Sequence, residues 1–338
     1  MKIFQKFISV ALSFAILLGA NTIIVNSTEK TKSVYLGGES FGIKFYTNGV
    51  MIIELESYYD GKEYKCPAKD GGLMVNDVIK EVNGNKINSN EDLQRVTVHC
   101  DGNPIEVTVE RNGKSYNKTV KPIKNTAGMY LIGAWVRDSC AGIGTVTYYD
   151  VDKNYFAALG HGVCDSDTSA LMPLGTGEAV RADISGVTKS VAGKTGSLDG
   201  YFTDNVLGKL TKNSDIGIYG TISDNFNFNK QKVEVAKNSE VKTGKATVYT
   251  ILKNNEVGCY NIEINKICND SANSNENFVI KITSDELLKK CGGIVQGMSG
   301  SPIVQDGKLV GAVTHVFVNT PNEGYGILAQ NMELNYEN

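Results

Sequence analysis

Two short motifs of this sequence place a histidine and a serine where they could act together as base and nucleophile. His161 follows an apolar run and lies between two glycines, and Ser299 lies on a glycine-bounded turn before a predicted hairpin. A serine hydroxyl attacks efficiently only when a nearby base removes its proton. The developing oxyanion also needs backbone N–H groups directed at it. We therefore predict His161 as the base, Ser299 as the nucleophile, and the backbone N–H groups of Gly297 and Ser299 as the oxyanion hole.

The surroundings of these motifs predict a β-rich peptidase domain over residues 128–338. Short alternating apolar segments separated by turn residues recur throughout this stretch, which favours a barrel or a sandwich. The G-x-S-G-x-P form around Ser299, with a histidine-bearing strand upstream, is similar to that of chymotrypsin-like peptidases. We therefore expect a chymotrypsin-like double β-barrel. Of the other two histidines, His99 is interpreted as structural, and His315 as a residue of the core or of the cleft wall.

Residues 34–124 predict a separate, smaller domain of short strands and one helix. A glycine-rich start, a G-L-x-x-x-D-x-I run, the turn signal Asn83-Gly84 and a helix start at Asn90 together resemble a PDZ domain. The glycine expected before the aspartate of that run is Asn76, which tolerates the same left-handed backbone. The resemblance implies that backbone N–H groups of the first loop capture a peptide C-terminus, with strand addition supplying affinity. The residues of that loop are Ser40, Phe41, Gly42 and Ile43.

The N-terminus predicts export. Two lysines precede an apolar run at residues 7–25, which is typical of a secretory signal and just long enough to cross a bilayer. We expect residues 1–26 to form a hydrophobic helix that is either cleaved as a signal peptide or retained as a membrane anchor. The predicted fold is thus mainly β, with this N-terminal helix, a PDZ domain and a peptidase domain in that order.

Composition excludes several other classes of function. The formal net charge of −3 and the pI near 5.8 do not favour nucleic-acid binding, which usually needs a basic face. The seven cysteines form no C-x-x-C pair, so a zinc knuckle or a thioredoxin-like site is not predicted. The sequence contains no P-loop, Rossmann fingerprint or H-E-x-x-H motif. We therefore predict no cofactor and no metal.

The full set of motifs resembles the stage IV sporulation protein B (SpoIVB) peptidases of endospore-forming bacteria. The resemblance implies a serine endopeptidase of sporulation signalling, exported from the forespore into the space between the forespore and mother-cell membranes. It further implies cleavage of the protein itself and of a membrane-protein partner, which leads to activation of the late mother-cell sigma factor. The PDZ domain would restrain or target this activity. The matching runs are residues 35–40, 142–145, 158–162, 292–303, 311–316 and 324–327.

The sequence departs from the family at the acid of the catalytic triad. The family carries this acid in a T-D-x-E-L-L run before the serine, whereas here residues 283–288 read T-S-D-E-L-L, so the acid comes one place late. We predict Asp285 as the triad acid after a small backbone adjustment. Ser284 is an alternative that would orient the imidazole less strongly, and Asp165 and Asp167, close behind His161, are further candidates. Loss of the acid would lower the rate through the wrong imidazole tautomer.

A second hypothesis belongs to a different class of function. The displaced acid and the PDZ resemblance also fit a catalytically weak scaffold that binds the tails of membrane proteins. Labelling of Ser299 by a fluorophosphonate would favour the enzyme, whereas peptide binding without labelling would favour the scaffold.

Overall fold

The computed structural model describes residues 32–225, 229–252, 255–268 and 275–337. The hydrophobic segment predicted at residues 1–26 lies outside these ranges. Among the helices of the described ranges, none is long and apolar enough to cross a membrane.

The described chain is built mainly from antiparallel strands. The helices are α1 (Pro67–Asp70), α2 (Asn90–Val98), α3 (Asp285–Cys291) and α4 (Ala329–Glu337). In chain order the strands are β1 (Ser33–Leu36), β2 (Ser40–Leu55), β3 (Tyr58–Tyr59), β4 (Tyr64–Lys65), β5 (Val78–Val82), β6 (Asn85–Lys86), β7 (Ile105–Arg111), β8 (Lys114–Val120), β9 (Ile123–Lys124), β10 (Tyr130–Leu131), β11 (Ala134–Asp150), β12 (Tyr155–Ala158), β13 (Leu174–Thr188), β14 (Ser197–Ser214), β15 (Gly217–Thr221), β16 (Lys232–Val235), β17 (Gly244–Ile251), β18 (Val257–Ile267), β19 (Phe278–Ile282), β20 (Pro302–Gln305), β21 (Lys308–Val316) and β22 (Glu323–Leu328).

Six of these strands close a first barrel. They pair in the order β2, β11, β12, β15, β14 and β13, and β13 pairs back to β2. Successive side chains of a strand point to opposite faces, and in β2 the alternate residues Phe41, Ile43 and Phe45 are buried in one apolar cluster. The alternation in β2 therefore supplies one wall of the barrel core.

Six further strands close a second barrel in the same way. The order is β17, β18, β19, β22, β21 and β20, with β20 pairing back to β17. Alternate residues of β18, namely Tyr260, Ile262 and Ile264, point into its core, as the period of two requires. Two closed barrels over this part of the chain agree with the predicted double-barrel arrangement.

The smaller domain uses the second half of β2 together with β5, β7 and β8. Asn83 and Gly84 join β5 to β6 with φ of 51° and 75°, so both turn residues have the positive φ that a two-residue type I′ hairpin needs. Asn76 has a φ of 73°, which confirms the left-handed position predicted for it. Helix α2 follows Ser89, whose hydroxyl accepts a hydrogen bond from the N–H of Asp92.

The prediction that residues 40–43 form the peptide-binding loop of this domain is wrong. Residues 40–43 lie inside β2, paired on one edge with β11 and, from residue 41, on the other edge with β13. Their backbone groups are used in the barrel, and a Cβ added at Gly42 would lie 2.4 Å from the Phe202 ring. Gly42 is therefore a glycine because the Phe202 ring packs closely against its backbone. The correction concerns Ser40, Phe41, Gly42 and Ile43.

Strand β2 is shared between the two domains. Its first half belongs to the barrel, while Val50, Ile52 and Leu55 of its second half pack in the apolar cluster of the smaller domain. Strand β1 pairs with barrel strand β11 and with β16. The smaller domain therefore begins within β2, later than the predicted residue 34, because the chain from 33 to 46 is paired with strands of the larger domain.

Candidate active site

His161 and Ser299 line the same cleft, although they come from different barrels. His161 follows β12 of the first barrel, and Ser299 precedes β20 of the second. The cleft has a volume of about 670 Å³. Its other lining residues come from both barrels and include Ile43, Ile143, Leu159, Ile294, Val295, Gly297, Thr314, His315 and Val316. The structure thus brings the predicted base and the predicted nucleophile to one site.

The turn that carries Ser299 is held by β11 of the other barrel. The hydroxyl of Thr145 donates to the carbonyl of Gly297 at 2.7 Å, and the N–H of Thr145 donates to the carbonyl of Ser299 at 2.9 Å. The hydroxyl of Thr147 donates to the carbonyl of Gly300 at 2.8 Å. Both threonine side chains are buried. Sequence reasoning did not identify these two residues, although their run, 142–147, overlaps one of the matching family motifs.

Two backbone N–H groups of this turn are free to meet an oxyanion. Gly297 has a φ of 96° and Gly300 a φ of 92°, and this left-handed backbone bends the chain sharply on either side of Ser299. Within the described ranges, no hydrogen bond uses the N–H of Gly297 or of Ser299. These are the two donors predicted for the oxyanion hole.

The ring of His161 is held in the tautomer that a base needs. Its Nδ1 lies 2.8 Å from the carbonyl oxygen of Gly162. A carbonyl can only accept, so Nδ1 carries the hydrogen and the lone pair is on Nε2. Burial lowers the pKa of His161 to about 4, with a smaller opposing effect of the Gly162 hydrogen bond and a further lowering by His315. At neutral pH His161 is therefore an uncharged base.

The lowered pKa of His161 predicts the pH at which activity is lost on the acid side. Because the free-enzyme profile of kcat/KM reports the pKa of the essential base, activity should persist below the ordinary histidine value of about 6.5. It should fall only as the pH drops toward about 4. The measurement is the rate of acylation by a fluorophosphonate between pH 3.5 and pH 8. An acid limb centred near 6.5 would show that the His161 ring is more open to water than the structure has it.

The hydroxyl of Ser299 is not yet directed at this base. It donates to the carbonyl of Thr314 at 2.8 Å, and among the described residues no hydrogen bond joins it to His161. Catalytic hydrogen bonds are often absent without substrate and form in the complex.

Asp285 does not reach the cleft, which corrects its prediction as the triad acid. The run that contains it forms helix α3, and Ser284 caps this helix by accepting a hydrogen bond from the N–H of Leu287. Asp285, in the first turn, is exposed to solvent and is absent from the lining of the cleft. A helix start favours acidic residues that face the solvent at its positive end, so both Ser284 and Asp285 have a structural explanation.

Replacing Asp285 with asparagine should therefore leave catalysis unchanged. The substitution removes a charge from an exposed helix start and should cost about 0.3–1 kcal/mol of stability. Acylation rates of Asp285→Asn and wild type, compared at a temperature where both are folded, should agree within about twofold. A loss of orders of magnitude would restore Asp285 as the triad acid.

The other two candidate acids belong to the loop after His161. Asp165 is buried and ion-paired with Arg137, and Asp167 pairs with the same guanidinium. Burial opposes ionisation of Asp165, but backbone N–H donors and the charge of Arg137 lower its pKa below the ordinary value. Within the described ranges, no hydrogen bond or ion pair joins either carboxylate to His161. The acceptor at His161 Nδ1 is instead the neutral carbonyl of Gly162.

The remaining walls of the cleft combine apolar side chains with uncharged polar ones, among them Thr195, Ser197 and Gln296. No Asp, Glu, Lys or Arg lines it among the residues that the structure describes. The same ranges contain no group of three or more His, Cys, Asp or Glu side chains that could hold a metal ion. His315, which the sequence left between core and cleft wall, lines the cleft with its ring centroid 5.0 Å from that of His161.

Sequence profiles identify both parts of this chain. Residues 128–333 match the profile described as SpoIVB peptidase S55, and residues 47–121 match that of the PDZ domain. The PDZ match begins inside β2, in agreement with the strand pairing.

Individual relatives cover less of the chain. A putative zinc metalloprotease of Clostridium perfringens, CPE1693, is 36% identical over 67 residues, 20% of this chain, and the chain spans only a fifth of that relative. The PDZ domain of the SdrC-like protein Lmo2051 of Listeria monocytogenes is 22% identical over 26% of this chain and 87% of its own, with a TM-score of 0.22. The inactive form of Rv3671c of M. tuberculosis is 11% identical over 58% of this chain and 80% of its own, with a TM-score of 0.31.

Proposed function

Because this chain belongs to the SpoIVB peptidase S55 family and is a serine peptidase, we propose that it is an endopeptidase of sporulation signalling. Its substrates are itself and a membrane-protein partner in the space between the forespore and mother-cell membranes, and this cleavage leads to activation of the late mother-cell sigma factor. The family and the accompanying PDZ domain support this proposal. The observation that carries the chemistry is the convergence of His161 and Ser299 on one cleft.

The proposed reaction begins when the Ser299 hydroxyl turns from the Thr314 carbonyl to Nε2 of His161. The imidazole takes the proton as the serine oxygen attacks the peptide carbonyl, and the N–H groups of Gly297 and Ser299 stabilise the oxyanion. The protonated imidazole then gives its proton to the leaving amine, and water releases the acyl group in the reverse sequence. Each step uses a group already in the cleft.

The Gly162 carbonyl takes the place that a carboxylate has in the usual triad. It selects the reactive tautomer of His161, but a neutral oxygen stabilises the imidazolium less than a carboxylate does. We expect acylation that is slow for a serine peptidase. Slow turnover suits an enzyme that cuts one or a few signalling substrates.

The chemistry of the cleft also bears on the substrate. Its walls carry the aliphatic side chains of Leu198, Ile294, Val295 and Val316 beside the Ser299 turn. A charged side chain placed there would lose its water without gaining a partner of opposite charge. We propose that the substrate residues beside the scissile bond are apolar.

The proposed location rests on residues 1–26, whose basic start and apolar run are those of an export signal or a membrane anchor. Fractionation of cells expressing the full chain, with and without these residues, tests this part. Loss of export on removal of the segment is the expected result, and unchanged export would contradict it.

A cleavage experiment tests the proposed activity. The full chain is incubated with the Ser299→Ala chain as a tagged substrate, and new N-termini are identified by mass spectrometry. Fragments should appear from the tagged chain only when active protein is present. Identical fragments without active protein would show that another peptidase makes them.

The scaffold hypothesis finds less support in the strand pairing. A scaffold needs an open β2 edge for a partner's tail, and residues 51–55 of that edge are already paired with β11.

A further inference from the structure

The peptide groove of the PDZ domain is already filled. A PDZ domain binds an extended peptide by adding it to a sheet edge as a further strand. Here the start of β11 is that strand, antiparallel to the second half of β2, and helix α2 contacts it and β10 from the other side. The registered pairs are Ala134 with Leu55, Trp135 with Glu54, Val136 with Ile52, and Arg137 with Met51.

The side chains of this segment are spaced like those of a bound peptide. Ile132 is buried, and Ala134 and Val136 pack on the same apolar cluster, which also contains Ile52 of β2 and Leu93 of α2. The residues between them point outward, as the period of two requires. Trp135, for example, is 57% exposed.

Backbone hydrogen bonds hold the start of the segment as well. The carbonyl of Ile132 accepts from the N–H of Ala68 at 2.6 Å, and the carbonyl of Gly133 accepts from the N–H of Glu56 at 3.0 Å. The segment defined by residues 132–137, which we call the groove segment, is thus fixed along its length.

The last residue of the groove segment reaches the active-site loop. Arg137 forms ion pairs with Asp165 and Asp167, on the loop that begins at His161. Asp165 is buried, and its carboxylate also accepts the N–H groups of Asp167 and Thr168 at 3.0 Å and 2.9 Å. The Asp165 carboxylate therefore organises the loop, and Arg137 neutralises that carboxylate.

We propose that the groove segment is the resident ligand of the PDZ domain and that Arg137, at its end, is a positioning residue for the loop carrying His161. The PDZ domain then affects catalysis because it fixes the position of the Arg137 guanidinium. The predicted effect on catalysis rests on the proposed function. The predicted link between the groove segment and the His161 loop does not.

Removing the guanidinium should misplace the base. Arg137 and Asp165 do not line the cleft, so the substitution reaches the cleft only through the loop that begins at His161, whose first residues do line it. The loss of charge leaves a buried carboxylate unpaired, which is strongly unfavourable. A shift of the base by about 1 Å lowers rates by roughly 100-fold.

The first test uses Arg137→Gln and Arg137→Lys with a fluorophosphonate probe. For Arg137→Gln we expect the maximal labelling rate to fall roughly 10- to 100-fold. Arg137→Lys should recover only part of the rate, because an ammonium cannot pair with both carboxylates as a planar guanidinium does. Equal maximal rates in Arg137→Gln and wild type would overturn the proposal.

The second test ejects the segment and leaves Arg137 in place. Val136→Asp puts a charge into the groove, and Val75→Asp, at a valine that is 41% exposed in the same domain, is the matched control. Trp135 is the sole tryptophan and donates to Glu56 at 2.7 Å, so its emission reports on the segment. Val136→Asp should shift this emission to longer wavelength and lower the labelling rate as Arg137→Gln does, while Val75→Asp changes neither. A shifted emission with an unchanged labelling rate would overturn the proposal.

A measurement that needs no activity separates this inference from the proposed function. The amides of Asp167 and Thr168 should exchange with deuterium faster in both Arg137→Gln and Val136→Asp than in wild type. If Val136→Asp does not fold, Arg137→Gln alone decides the matter by the same amides. Unchanged exchange in a folded variant would contradict the proposed link between the groove segment and the His161 loop. Faster exchange in a chain whose Ser299 is never labelled would support that link but contradict the peptidase activity.

Discussion

Ser299→Ala and His161→Ala are each expected to abolish cleavage of the chain by itself and in trans, lowering the rate by about 10⁴- to 10⁶-fold. The nucleophile and its base act as one unit, so the double variant should be no slower than either single variant. Both side chains line the cleft and are partly exposed, so the fold should be retained. The measurement is the amount of fragment formed over time by purified full-length chains.

Thermal unfolding of the same variants is the control for these losses. Unfolding temperatures within about 4 °C of wild type would show that the loss is chemical. Clear cleavage by Ser299→Ala, still dependent on His161, would mean that another nucleophile acts in this cleft.

Gly300→Ala is expected to have the second largest effect, through the shape of the nucleophile turn. A Cβ at this position would lie 2.0 Å from the carbonyl oxygen of Thr145 and 2.5 Å from the backbone nitrogen of Leu159. The φ of 92° adds strain for any residue other than glycine. The turn must move, and with it the Ser299 hydroxyl and the oxyanion donors. We expect acylation to fall at least about 100-fold.

Gly307→Ala is the matched control for this substitution. Gly307 has a φ of 79°, and a Cβ there meets nothing within 4 Å. It shares the backbone strain of Gly300 but lacks the close approach to the first barrel. Gly307→Ala should acylate at the wild-type rate with a modest loss of stability. Equal losses of activity in the two variants would mean that strain alone, and not the contact with Thr145, sets the turn.

Local signals in the sequence predicted the local parts of this structure. The Asn83-Gly84 hairpin, the left-handed Asn76 and the start of α2 at Asn90 all depend on neighbouring residues only, and all three are present. Both His161 and Ser299 were found because glycines mark the turns that present them.

Long-range pairing explains what the sequence did not predict. The glycine-rich start of β2 resembles a loop, yet Phe41, Ile43 and Phe45 also alternate as a strand, and only the partners β11 and β13 decide between these. Asp285 was predicted as the triad acid from the spacing of a family motif. The structure places it in the first turn of α3, where its side chain is exposed to solvent. The ion pairs of Arg137 join residues about 30 positions apart and leave no local pattern.

The reaction of the purified chain with a fluorophosphonate, followed by peptide mapping, tests the assignment of nucleophile and base most directly. We predict a single adduct on Ser299 in the wild-type chain at pH 7. His161→Ala should lose this adduct, and Asp285→Asn should retain it. An adduct on another residue, or undiminished labelling of Ser299 in His161→Ala, would contradict the assignment of Ser299 as nucleophile and His161 as its base.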